Sequence, residues 1–407
     1  MLNKYIHLTF FFFLLVALSG IFMRMYPYFS NQNIPYENVL HAHSHLALIG
    51  WEFLAVFLIF LAIDWKNVAQ KKQAISISIT LIIVSFLMFI SFLMQGYGIF
   101  SIIMSTLHIF VEYWAALFIY QQMKNKKSIF NIPNLFINGA LCALFLSSIG
   151  PYALAFISAN GWKDHVSFDM SVYYYLHFQY NGWLTLFLIG IFIFILQMKK
   201  IPFNKEQLKL GFWLYFFALF PSYLLSILWV EQFGTFMHIL GTIGSIGQWI
   251  SVIIILFALR KRFIVYKDEF SPLTNVTITI SFLLLFMKST LELGLISPTL
   301  AALIYDTRSV IIGYLHLTLL GFISIFILAQ FMMLKILSTN MRAIVSFTIF
   351  FIGFFIMEIL LFLEGLTSWL GHSTIPFYLE GLLVTAVLLA IGVFGLWMSL
   401  NKKWQNY

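Results

Sequence analysis

Leu40-His41-Ala42-His43-Ser44-His45-Leu46-Ala47-Leu48-Ile49-Gly50-Trp51-Glu52 is the stretch on which the reading of this chain turns. Three histidines alternate at the mouth of a long apolar run, and a carboxylate follows deeper in it. Ionisable groups inside a membrane segment are costly unless they bind something, so this run marks the expected chemistry. His41 and His45 are four residues apart and share a helix face, while His43 points roughly the opposite way. Glu52, seven residues below His45, is expected back on the first face. One helix thereby serves two sites, one on either side.

The surroundings set the class. Hydrophobic residues make up 61% of the chain and charged residues only 9%, which excludes a soluble globular protein. A bilayer core takes about 20 apolar residues per helix. The expected spans are 5–26, 36–63, 74–96, 99–121, 132–157, 171–197, 208–230, 234–259, 273–296, 309–334, 343–366 and 375–399. The fold class is therefore all-α, a polytopic membrane protein of about twelve transmembrane helices. Ala17-Leu18-Ser19-Gly20 offers small residues for signal cleavage, but a retained first helix is preferred, because the repeat below needs it. The single cysteine, Cys142, excludes an internal disulfide or a cysteine cluster.

The formal net charge is +8. Lys4 and the segments 66–72, 124–127, 199–209, 260–267, 335–342 and 402–403 hold all of the 23 basic residues except Arg24, Lys163, Lys288 and Arg308. With twelve spans all these segments fall on one side, expected to be cytoplasmic, along with both termini. The protein is thus expected in a bacterial-type cytoplasmic membrane, in contact with lipid. The basic charge reports topology, and a nucleic-acid partner is excluded.

An internal repeat organises the helices. His45, His177 and His316 are each followed by four residues, a glycine (Gly50, Gly182, Gly321) and a large aromatic (Trp51, Trp183, Phe322). The carriers are helices 2, 6 and 10, which implies three pseudo-repeated four-helix arcs, roughly 1–127, 128–267 and 268–407, in a single transmembrane domain. His108 and His238 lie on helices 4 and 8. His45, His177, His238 and His316 each lie seven or eight residues past a charged residue (Glu37, Asp169, Glu231, Arg308), about 10–12 Å down the helix. The imidazoles are expected to converge on one layer. The glycines leave room for a flat ligand or a close helix.

Other constellations carry two readings each. His108 and Glu112, one turn apart, either bind a metal jointly, supply a ligand and a proton relay, or pair with each other. His238 heads a stripe of Gly241, Gly244 and Gly247 on which a macrocycle or a helix could lie. Lys288 and Glu292 are expected to pair. Arg24 and Arg308, at helix ends, either hold cofactor propionates or snorkel to the interface. Glu358, Glu364 and Glu380 serve proton movement or face water. His7, His165 and His372 carry no assigned role.

Twelve helices in three arcs with histidines near one side resemble the haem–copper oxidase superfamily, which includes nitric oxide reductases. His43-Ser44-His45-Leu46-Ala47 is similar to the His-x-His-Leu-Ala stretch with which a reductase helix binds two haems. His108-Ile109-Phe110-Val111-Glu112 is similar to the reductase stretch that binds a non-haem metal. NnrS-type membrane proteins, with an early His-Ala-His and a Gly-rich histidine helix like 237–248, are a second likeness. The departures are concrete. The His-x-His motif lies on helix 2 rather than 10, the His–Glu motif on helix 4 rather than 6, and residues 208–230 contain no histidine.

The resemblance implies a b-type haem and a second metal, copper or non-haem iron. Imidazoles suit both. His45 and His316 are expected as an axial pair, and His43 faces a second site completed by His108, Glu112, His177 and His238. Glu112 and Glu52 are the expected proton route for reduction of nitric oxide or oxygen, with a quinol or donor protein supplying electrons. The alternatives are a non-catalytic NnrS-like haem protein for nitric oxide tolerance or cofactor handling, and a proton or metal-ion transporter.

Overall fold

The computed structural model describes residues 2–28, 33–124, 131–162, 164–230 and 234–401. Lys126, Lys127, Lys163, Glu231, Lys402 and Lys403, used above for topology and depth, lie outside them. Among the described residues, twelve helices are long and apolar enough to cross a membrane. They are α1 (Asn3–Tyr28), α2 (Tyr36–Ile63), α3 (Lys71–Gln95), α4 (Ile99–Lys124), α5 (Asn131–Ala159) and α6 (Ser167–Met198), followed by α7 (Lys205–Ile227), α8 (Thr235–Ala258), α9 (Pro272–Ile296), α10 (Arg308–Met333), α11 (Met341–Trp369) and α12 (Tyr378–Trp397). This is an all-helical integral membrane protein. In hydrocarbon only a helix satisfies every backbone group within its own segment, which is why hydropathy alone finds the spans.

The most apolar stretches of α2, α6 and α10 are 94%, 89% and 61% buried, against 39–44% for the other nine helices. The three carriers of the repeat are therefore the most buried of the twelve helices. Each contains a π-helical segment at or just below its histidine: Leu46–Glu52, His177–Leu184 and Leu317–Ser324. Such segments are rare, and they cluster at functional sites. The repeat aromatics Trp51, Trp183 and Phe322 are all 1% exposed or less, so they anchor these segments in the core.

The chain divides into two compact units, Met1–Gln122 with Ser324–Tyr407, and Met123–Ile323. The core of unit 1 is aromatic. Phe13 of α1 stacks on Trp51 of α2 at 4.1 Å, and Phe350 of α11 meets Phe13 at 5.9 Å. Trp51 Nε1 donates to Ser324 Oγ at 3.0 Å, so the buried indole is satisfied. In unit 2, α8 packs on α7 through its glycine stripe. A Cβ on Gly244 would strike the backbone of Pro221 and Ser222. Of the two readings of that stripe, the structure realises the close helix.

Candidate functional site

In unit 1 the alternating histidines of α2 part as their spacing requires. His43 turns to α1, where its Nδ1 lies 3.0 Å from both the Val16 carbonyl and Ser19 Oγ. A carbonyl has only lone pairs to offer, so Nδ1 carries the proton and donates it. The Nε2 lone pair is then left over, and no hydrogen bond engages it. Beside the ring stands Gly20, where a Cβ would lie 3.5 Å from His43 Cε1. The imidazole is only half-buried although its helix is the most buried of the twelve. Arg24, one turn further along α1, lies within electrostatic range of His43.

His45 takes the other side. Its ring stacks on Phe92 of α3 at 4.3 Å, and its Nε2 is 3.2 Å from the Tyr97 hydroxyl. His41 joins it, edge-on to Tyr97 at 4.5 Å. His108 is fully buried on α4, with Nδ1 2.9 Å from Glu112 Oε1 and Nε2 3.1 Å from Ser85 Oγ on α3. The internally paired reading of His108 and Glu112 is thus the arrangement observed.

Glu52 does not return to the His45 face. It approaches Ser324 of α10, while His45 lies against α3. The reason is the intervening π segment, whose wider turns shift the phase on which the expectation relied. Glu52 is 1% exposed and its Oε2 makes no hydrogen bond. Glu358 on α11 is 5% exposed, and neither carboxyl oxygen has a partner. Of its two readings, facing water is therefore excluded. Glu364, by contrast, accepts from the Ile375 amide at 3.1 Å.

Unit 2 assembles a polar network that the sequence disclosed only in part. His177 Nε2 donates to the Leu219 carbonyl at 2.9 Å, and its Nδ1 accepts from Asn181 Nδ2 at 3.2 Å. Asn181 Nδ2 also donates to Glu292 Oε1 at 3.2 Å, and Asn181 Oδ1 accepts from Lys288. Lys288 and Glu292 form the expected ion pair, 3.2 Å apart, and the Tyr314 hydroxyl donates to Glu292. The Tyr215 hydroxyl donates to the Asn181 carbonyl at 2.9 Å. Both His177 nitrogens are therefore engaged. His238 lies apart, its Nε2 donating to the Ile296 carbonyl at 2.7 Å. His316 is half-buried directly above the third π segment, and Arg308 is exposed at the start of α10. Asn181 and Tyr314 escaped the sequence reading. The signal for Asn181 was its position four residues below His177, one turn on the same helix.

Among the described residues, no three of His, Cys, Asp or Glu converge to hold a metal ion. No family model matches the sequence, and no curated protein matches it significantly. The structure is more informative. It superposes on a haem–copper terminal oxidase, one solved as a dimer by cryo-electron microscopy, with a TM-score of 0.68 over 98% of this chain and 83% of that one. This chain has the haem–copper oxidase fold. At 13% identity the likeness is one of architecture. The resemblance read from the sequence holds at the level of the fold.

Proposed function

We propose that this chain is a haem-binding redox protein of the cytoplasmic membrane, with both termini on the cytoplasmic side and a b-type haem held in unit 1 by His43. The observation that carries the reading is the preparation of that imidazole. Its Nδ1–H is fixed by the Val16 carbonyl, which orients the ring and leaves the lone pair on Nε2. Gly20 keeps the space beside the ring open, and Arg24 lies close enough for a propionate. His43 is better prepared than His45, whose Nε2 is occupied by Tyr97. The donor set thus suits a haem, whose iron supplies a one-electron couple and binds diatomic gases. Nitric oxide or oxygen is the substrate class of this reading, with electrons from a quinol or a donor protein.

A copper or non-haem iron partner lacks such support. With no converging trio among the described residues, and with His108 bonded on both nitrogens, no step is assigned to a second metal. That observation favours, as the second reading, a haem protein for nitric oxide tolerance or cofactor handling that does not turn over. Purified full-length protein in detergent tests both. A folded sample without Soret absorption refutes the haem, and His43→Ala is expected to abolish that absorption. Steady consumption of nitric oxide or oxygen with an artificial electron donor is expected only of an enzyme.

A further inference from the structure

Asn138, on α5 in unit 2, puts an amide into lipid, and two neighbouring helices fix its depth. Gly190 of α6 packs on Phe136 and Ile137, and Gly139 packs on Phe212 of α7. Gly190 lies nine residues from Lys199, just beyond the end of α6, and Phe212 lies seven residues from Lys205 at the start of α7. At 1.5 Å per residue, Asn138 is therefore about 10–13 Å from these basic ends. Half of a bilayer core is about 15 Å, so the amide lies in hydrocarbon. Its side chain is exposed, and no described residue hydrogen-bonds it. Asn134, one turn away on the same helix, is by contrast buried and donates to the Met123 carbonyl at 3.4 Å. An amide without a partner in hydrocarbon is costly, and such groups draw helices together.

The amide stands in a regular seam. Asn131, Asn138 and Phe145 succeed one another at seven residues, and Leu135, Cys142 and Ile149 each follow one of them by four. Leu135 is half-buried and the other five are exposed. Any lipid-facing stripe has this shape, so the shape alone identifies no partner. The amide does. It carries donors and an acceptor in one group, which makes it its own complement. A bilayer holds every copy of the chain the same way up, and a two-fold axis along its normal sets each seam position opposite the same position of a second copy. In parallel helix pairs, a polar Asn at such a position fixes the register and favours two strands. Cys142, one turn further on, is small, which lets two backbones approach.

We propose that two copies of this chain pair in the membrane through α5, with the two Asn138 amides hydrogen-bonded to each other across the two-fold axis. Each amide donates an N–H to the carbonyl oxygen of the other, which satisfies in hydrocarbon the group that a single chain leaves bare. The pairing involves unit 2 alone and does not rest on the haem reading.

The single cysteine is the reporter. Membranes that contain the full-length chain are oxidised with the membrane-permeant copper–phenanthroline complex, and the products are separated on a non-reducing gel. Facing Cys142 residues of such a pair come within the separation of about 4.4–6.8 Å between Cα atoms that a disulfide spans. The expected product is a covalent dimer that persists on dilution with lipid, returns to monomer on reduction and is absent from Cys142→Ala. Energy transfer between copies tagged at the C-terminus gives the dissociation constant as the lipid-to-protein ratio is raised. Asn138→Leu is expected to raise that constant about five- to thirtyfold, the worth of interhelical hydrogen bonds in a membrane. Asn138→Gln, which keeps an amide, is expected to recover part of the loss. Should Asn138→Leu not fold, Asn138→Ala carries the same expectation. A wild type without energy transfer overturns the pairing, and so does energy transfer without the Cys142 cross-link, which moves the contact to another face. Pairing of unchanged strength in the Asn138 variants overturns the role of the amide. A cross-link to a protein of different mass in place of a second copy overturns the proposal in favour of an accessory membrane helix.

Discussion

Lys288→Met tests the buried network of unit 2. Lys288 is 1% exposed, and its ammonium is shared between Glu292 and Asn181 Oδ1. Removing it strands the Glu292 carboxylate with two neutral donors, Tyr314 and Asn181. Breaking a buried pair from one side costs about 3–5 kcal/mol. The two remaining hydrogen bonds, and the 16% exposure of Glu292, place this case near about 3 kcal/mol. Glu292→Gln strands the ammonium instead and is expected to cost a similar amount. The double variant strands neither charge and should lie within about 1–2 kcal/mol of wild type, because a desolvated pair is often nearly neutral overall. The coupling is then about 4 kcal/mol, far beyond the ~0.5 kcal/mol within which independent sites add. Unfolding by sodium dodecyl sulfate in mixed micelles gives all four corners of the cycle. If the single losses simply add in the double variant, the charges are not paired in the folded protein and the reasoning fails.

Two further outcomes are expected. Gly20→Ala places a Cβ at ordinary contact distance from His43 and should keep haem binding, whereas Gly20→Leu fills the space beside the ring and should lower the haem content of folded protein at least tenfold; equal loading of both, read from the Soret band per chain, refutes the pocket. Trp51→Phe keeps an aromatic ring over Phe13 but removes the donor to Ser324, a loss of about 1 kcal/mol that Ser324→Ala should make largely redundant; the same unfolding cycle measures it.

The expected span 36–63 coincides with Tyr36–Ile63, and 99–121 lies within Ile99–Lys124. Lipid imposes a minimum apolar length on every crossing, so composition alone marks these helices. The repeat was legible for a related reason, since a buried helix must carry the same small and aromatic residues wherever its neighbours close around it. Pairs one turn apart, His108 with Glu112 and Lys288 with Glu292, were equally visible, because one helix geometry brings them together. What the sequence hid depends on contacts between helices. The Val16 carbonyl that orients His43 is main chain and has no residue-specific mark. Tyr314 reaches Glu292 from another helix, and the burial of Glu358 depends on what surrounds α11. The place assigned to Glu52 failed for a local reason, because nothing in Leu46–Glu52 announces that its amides bond one residue further back than in an α-helix.

The three π segments also bear on how this architecture could vary in evolution. Each holds one residue more than an α-helix needs to join the same two ends, so deleting it would leave both halves packed. The halves above and below would keep their facings, because the wider turn alone absorbs the extra residue. A sequence shorter by one residue within 46–52 would therefore keep His43 turned to α1. Among proteins of this architecture, such a change would be written as a one-residue gap that leaves the facing of every histidine intact.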